Sequence, residues 1–163
     1  MTAGNRSTQF DEPRRSRTNI LLRLAEPSHT SHTAVADAVE QMRRSGRRLV
    51  ILPQIVYEFW AVATRSMVAN GLGMTAAEAD RLIDEFTRRI PVVRDERGVY
   101  ERWRELVTSY RVSGVNSFDA RIVAGMLRHG IPTLLTTNAR DFAKYTEIEV
   151  LTPENMSPSV GSE

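Results

Sequence analysis

The stretch S-F-D-A-R-I-V-A-G-M-L-R-H-G-I-P-T-L-L-T-T-N-A-R-D-F, Ser117 to Phe142, decides the fold class. Ser117 has the hydroxyl of a helix N-cap, and the apolar spacing after it predicts a helix that reaches His129. Gly130 supplies the stop, since a left-handed residue ends a helix at little steric cost. T-L-L-T-T, Thr133 to Thr137, reads as a strand and N-A-R-D-F as a loop. E-I-E-V-L, Glu147 to Leu151, reads as the last strand. Strands that alternate with helices predict an α/β fold around a mainly parallel sheet.

The same rhythm runs upstream. L-V-I-L, Leu49 to Leu52, is a continuous apolar run before a proline, as in a strand buried on both faces. P-V-V, Pro91 to Val93, is a shorter strand candidate. Helices are predicted over 32–44, on the spacing Val35, Ala36, Val39, Met42, with Gly46 as terminator, and over 54–67 and 98–110. Thr75 and Glu78 form a capping-box pattern for a helix that runs to Arg89. One domain is expected over 17–153. Residues 1–16, polar and without period, are expected to be a disordered arm, and 154–163 a flexible tail. Trp60 and Trp103 are expected in the core.

Composition narrows the classes. Of 163 residues 41% are hydrophobic and 26% charged, ordinary for a globular domain. No run is long enough to span a membrane, and the N-terminus lacks the apolar core of a secretory signal. The absence of cysteine excludes disulfides and thiolate metal sites and suits a cytoplasmic protein. A net charge of +2 gives no global field for nucleic acid. The clusters Arg14, Arg15, Arg17 and Arg43, Arg44, Arg47, Arg48 fit a solvated face as well as a phosphate path.

Ligands of such folds bind at the carboxyl ends of the strands, so the acids there matter most. Asp119 falls in the first turn of the helix after Ser117, where the dipole alone would favour an anion. Asp141 follows the strand T-L-L-T-T, where capping the next short helix is the simpler role. Glu58 lies among Tyr57, Phe59 and Trp60, and a desolvated carboxylate there needs a cation or hydrogen bonds: an Arg partner or a shared divalent ion. Several carboxylates without Cys or paired His favour Mg²⁺ or Mn²⁺ over zinc. Such ions activate water and stabilise a phosphate under attack, as nucleases require. His29, His32 and His129 have no catalytic or metal-binding spacing, and no phosphate loop, dinucleotide fingerprint or nucleophile elbow is present.

Four blocks in order then carry a resemblance: T-N-I-L-L-R-L-A-E-P-S-H, L-V-I-L-P-Q-I-V-Y-E-F-W-A-V-A-T-R, S-F-D-A-R-I-V-A-G-M-L-R-H-G-I and L-L-T-T-N-A-R-D-F. Together they resemble PIN domains, specifically the ribonuclease toxins of VapBC-type toxin–antitoxin pairs, over residues 18 to 153. The resemblance implies a three-layer α/β/α sandwich and an endoribonuclease that uses Mg²⁺ or Mn²⁺. It further implies an RNA substrate, a cognate antitoxin and a homodimer. By motif, Glu58, Asp119 and Asp141 match the family's catalytic and metal-binding acids, with Asn138 a neutral contributor.

One acid is missing. The family places an Asp before Thr-Asn at the end of an apolar first strand; here Thr18 and Asn19 are preceded by Arg17 and by D-E-P-R-R-S. Pro13 donates no ladder bond and the arginines cannot be buried in a central strand, so the first strand is expected to be degraded. The abrupt change at Thr18 is the pattern that an upstream frameshift or misplaced start would leave. At roughly 4 Å and an effective dielectric of about 20, each product of unit charges is worth about 4 kcal/mol. Exchanging −1 for +1 beside a divalent ion therefore removes much of its binding. The expectation is an impaired ribonuclease, with a catalytically inactive PIN-like protein that binds antitoxin, itself or RNA as the alternative.

Overall fold

Seven α-helices and a short parallel sheet make up residues 20–156, the part of the chain described by this computed structural model. The expected arm, the expected loss of the first strand, Arg17, and residues 157–163 of the expected tail lie outside that range. The helices are α1 (Ile20–Ala25), α2 (His32–Arg44), α3 (Pro53–Ala63), α4 (Ala76–Arg89), α5 (Gly98–Ser109), α6 (Asn116–Arg128) and α7 (Pro153–Met156). The strands β1 (Thr133–Leu135) and β2 (Glu149–Leu151) pair in parallel, Leu134 opposite Val150. Ile51 and Val92 add an isolated parallel bridge, held by Ile51 N–H to the Pro91 carbonyl and Val93 N–H to the Ile51 carbonyl, each 2.9 Å. The architecture is α/β with parallel pairing, as the strand–helix alternation predicts, though Leu49–Leu52 and Pro91–Val93 are reduced to that one bridge.

Local chemistry explains the boundaries. Gly46, at φ +74°, terminates α2, where its N–H meets the Arg43 carbonyl at 3.1 Å. Pro53 opens α3, a position where a helix has no use for the N–H that proline lacks. That helix stops at Ala63 rather than Met67, because Leu72 and Met74 turn back and donate to the carbonyls of Val62 and Ala63 at 3.0 and 2.9 Å. Thr75 and Glu78 form the reciprocal capping box of α4. The thread into α6 starts earlier than expected: Val115, not Ser117, is its N-cap, because Gly114 at φ +59° already turns the chain and accepts the Ser117 N–H. Residues 154–156, expected in the tail, continue the short helix from Pro153, which packs on α2.

Two apolar clusters meet near Leu52 and Ile55. One gathers α5 and α6 with Phe142, Tyr145 and Ile148; the other joins α1, α3 and α4 around Phe59. The helix α6 is buried along most of its surface, so Ile122, Val123 and Met126 each contribute about 1.5–3 kcal/mol of apolar transfer. This fixes the first turn of α6, and Asp119 on it, to the rest of the fold. Trp103 is half-buried and donates its indole N–H to the Ser117 carbonyl at 2.8 Å. Trp60, expected in the core, is 38% exposed, because α3 turns Phe59, Val62 and Ala63 inward instead.

Candidate functional site

The four predicted site residues, Glu58, Asp119, Asn138 and Asp141, are all half-buried. Glu58 lies one turn beyond Gln54 on α3, and the Gln54 Nε2 donates to Glu58 Oε1 at 2.7 Å. The same amide nitrogen donates to the Phe118 carbonyl at 2.9 Å, next to Asp119. Gln54 thus ties the start of α3 to the start of α6, bringing the surroundings of two predicted acids together. Its Oε1 accepts from Arg121 Nη1 at 3.0 Å, and Arg121 Nη2 reaches Asp95 Oδ1 at 3.1 Å. Tyr57 donates to the other oxygen of Asp95 at 3.3 Å. The neutral relay Gln54 stands between Glu58 and the guanidinium of Arg121, the arrangement a half-buried carboxylate needs.

The other half of the candidate site follows β1. Thr136 is fully buried and its Oγ1 accepts the Asn138 N–H at 3.0 Å, which sets the turn after the strand. Asn138 Nδ2 then donates a short hydrogen bond to Asp141 Oδ2. Asp141 ends a 3₁₀ turn, Ala139–Asp141, instead of capping a helix beyond it. Tyr145 lies just downstream, 2% exposed, with its ring edge-on to Tyr110. Among the described residues its hydroxyl has no hydrogen-bond partner. Burial pushes its pKa up to about 12, helped by the nearby charge of Asp119 and by Tyr110 and Glu147.

Gln54, Arg121, Thr136 and Tyr145 escaped sequence reasoning. Gln54 alone left a trace, a glutamine four residues before an acid at a helix start. The histidines take structural roles: His29 Nδ1 accepts the Ser31 N–H at 3.0 Å, while the rings of His32 and His129 meet the carbonyls of Arg23 and Arg94 at 2.9 and 2.8 Å.

The donor chemistry, carboxylates plus an amide oxygen, is of the hard-oxygen class that Mg²⁺ and Mn²⁺ select. The spatial grouping is less favourable: among the described residues no three His, Asp or Glu side chains come together closely enough to hold an ion. The donor types suit such an ion, and the described carboxylates by themselves do not make up its full ligand set. Also among the described residues, no helix is long and apolar enough to cross a membrane.

Comparison with known proteins bears on the same region. A family model described as PIN domain matches residues 18–148. Among curated proteins, none matches. Among solved structures, the fold is similar to VapBC-1 from nontypeable Haemophilus influenzae, determined at 2.2 Å, with a TM-score of 0.63 and 18% sequence identity. That likeness covers 83% of this chain and 94% of the other, and at such identity it speaks for the fold.

Proposed function

The chain belongs to the PIN domain family, and from that premise we propose that it is an endoribonuclease toxin of the VapC type, dependent on Mg²⁺ or Mn²⁺, with its hydrolysis impaired. The substrate is RNA, the partners are a cognate antitoxin protein and a second copy of the chain, and the protein works in the cytoplasm. Glu58, Asp119 and Asp141 are the catalytic and metal-binding acids, with Asn138 assisting. One observation supports this reading most: Gln54 bonds both Glu58 and the carbonyl of Phe118, the residue before Asp119, and so links the helices that carry two of the three acids.

The described residues contribute charge and positioning. Gln54 holds the Glu58 carboxylate toward α6, and the dipole of α6 favours the anion of Asp119 in its first turn. Asn138 fixes Asp141 in the turn after β1. Impairment follows from the sequence, since Arg17 stands where the family has its first acid. A positive charge in place of a negative one opposes the binding of a dication.

A second reading, a catalytically inactive PIN-like protein that binds antitoxin, itself or RNA, draws on the lack of a three-ligand cluster among the described residues. Cleavage of RNA in Mn²⁺, assayed on this chain and on Arg17→Asp, separates the two. We expect little or no cleavage by the parent, clear cleavage by Arg17→Asp, and its loss when Asp119→Asn is added. No cleavage by a folded Arg17→Asp protein would leave the binding reading in its place.

A further inference from the structure

Between Leu49–Leu52 and β1 lies a cavity of about 750 Å³. Leu24, Val39 and Met42 line it from α1 and α2, and Ile122 and Met126 from α6. Leu49, Val50, Leu134 and Leu135 border it and remain only half-buried, although L-V-I-L reads as a strand buried on both faces.

Hydrogen bonding gives the slot a direction. In a strand, the N–H and C=O of successive residues point to opposite edges. Ile51 spends both groups on Pro91 and Val93, which turns the N–H groups of Val50 and Leu52 toward the cavity. On the far side, the Pro132 carbonyl and the Thr136 N–H bond to β2, so the alternate residues Thr133 and Leu135 face the cavity. Among the described residues no backbone bond joins the two edges. Two strand edges, apolar walls and parallel pairing on both outer sides define a place shaped for one more strand.

The sequence that precedes Ile20 does not match the apolar lining of the slot. Residues 1–19 end next to Ile20, which lines the cavity, but their last stretch, P-R-R-S-R-T-N, lacks the N–H of Pro13 and carries Arg14, Arg15 and Arg17. Burying those guanidiniums in an apolar slot is costly. The rim adds a preference. Arg47 reaches across to Glu149 at 3.7 Å, while Arg48 is exposed just before Leu49, where a parallel strand would enter, so an acid preceding the apolar run would be attracted to Arg48.

We propose that the slot between Leu49–Leu52 and Thr133–Leu135 is a strand-acceptor site that binds an extended segment of a second polypeptide, an acidic residue followed by four or five Val, Ile or Leu residues, in parallel orientation. Main-chain bonds to Val50, Leu52, Thr133 and Leu135 give affinity, and the walls select apolar side chains. This site stands independently of RNA hydrolysis, because it concerns strand pairing and not the acids.

The test uses the full chain and a synthetic peptide, Glu-Glu-Val-Ile-Val-Leu, with a control in which the central Ile and Val become Pro and Arg. Amide hydrogen exchange is followed residue by residue. The peptide, not the control, is expected to slow exchange at least tenfold at Val50, Leu52, Thr133 and Leu135 together, and to raise the melting temperature. Leu134→Arg should abolish this response. The exposed substitution Arg48→Glu should weaken it several-fold without altering the melt of the free chain, which guards against a misfolded Leu134 variant. Protection of both edges already present in the free chain at every concentration would assign the slot to the chain's own N-terminal segment and overturn the proposal. Protection that grows with protein concentration alongside a doubled mass would assign it to a second copy and overturn it too. No change at millimolar peptide would do the same.

Discussion

Replacing Gln54 by leucine should destabilise the protein by about 2–3 kcal/mol. Gln54 is 6% exposed, bonds Glu58 at 2.7 Å and the Phe118 carbonyl at 2.9 Å, and accepts from Arg121 at 3.0 Å. Hydrogen bonds to charged groups are worth about 1.5–3 kcal/mol each, and a carbonyl left without its donor costs about 1–3 kcal/mol. Leucine keeps nearly the same volume, so no cavity adds to the loss. Water can reach half-buried Glu58 and Arg121, and Arg121 retains Asp95, which holds the net effect well below the sum. For a domain of this size about 1 kcal/mol lowers the melting temperature by about 2–4 °C, so Gln54→Leu should melt about 5–10 °C lower. Differential scanning calorimetry reads this directly. A double-mutant cycle with Glu58→Gln should return a coupling of at least about 0.5 kcal/mol. A melting shift within 1 °C of the parent, or no coupling, would refute the claim that Gln54 clamps Glu58 to the start of α6.

Other outcomes follow from the same structure. In a spectrophotometric titration one tyrosine should ionise near 12, well above the ordinary value near 10, and Asp119→Asn should lower it by removing a nearby negative charge. Because the folded state holds that proton more tightly than the unfolded one, stability contributed by Tyr145 is intact below pH 10 and declines between about pH 10 and 12. Tyr145→Phe should leave stability unchanged or raise it by up to about 1 kcal/mol, since the deleted hydroxyl is buried without a described partner; a loss above 2 kcal/mol in urea melts would point to a missed bond. Thr75→Ala should lower stability by about 1 kcal/mol through loss of the α4 cap, with the effect read from thermal melts. Glu78, whose pKa is lowered mainly by the Thr75 backbone N–H, stabilises at neutral pH, and that contribution fades as pH falls through its lowered value.

Local signals were the legible part of the fold. The bounds of α2, the capping box of α4 and the glycine stop after α6 rest on residues within a few positions of each other, and each appears where the pattern places it. In Leu49–Leu52 the apolar run was legible, but only Ile51 and Leu52 are buried and only one bridge forms, since a strand's burial and extent depend on a neighbour elsewhere in the chain. The N-cap at Ser117 failed for a related reason: the turn at Gly114 sets where α6 begins, and a positive φ is not written in spacing. In the candidate site the acids stood out by type and position. The Gln54–Phe118 bond joins segments far apart in sequence, and only folding brings them together.

Manganese binding by the full chain, followed by electron paramagnetic resonance, tests most directly whether this is a nuclease fold one acid short. Arg17→Asp should bind Mn²⁺ at least tenfold more tightly than the parent, and adding Asp119→Asn should remove the gain. Equal binding by parent and Arg17→Asp, or binding indifferent to Asp119, would contradict the account.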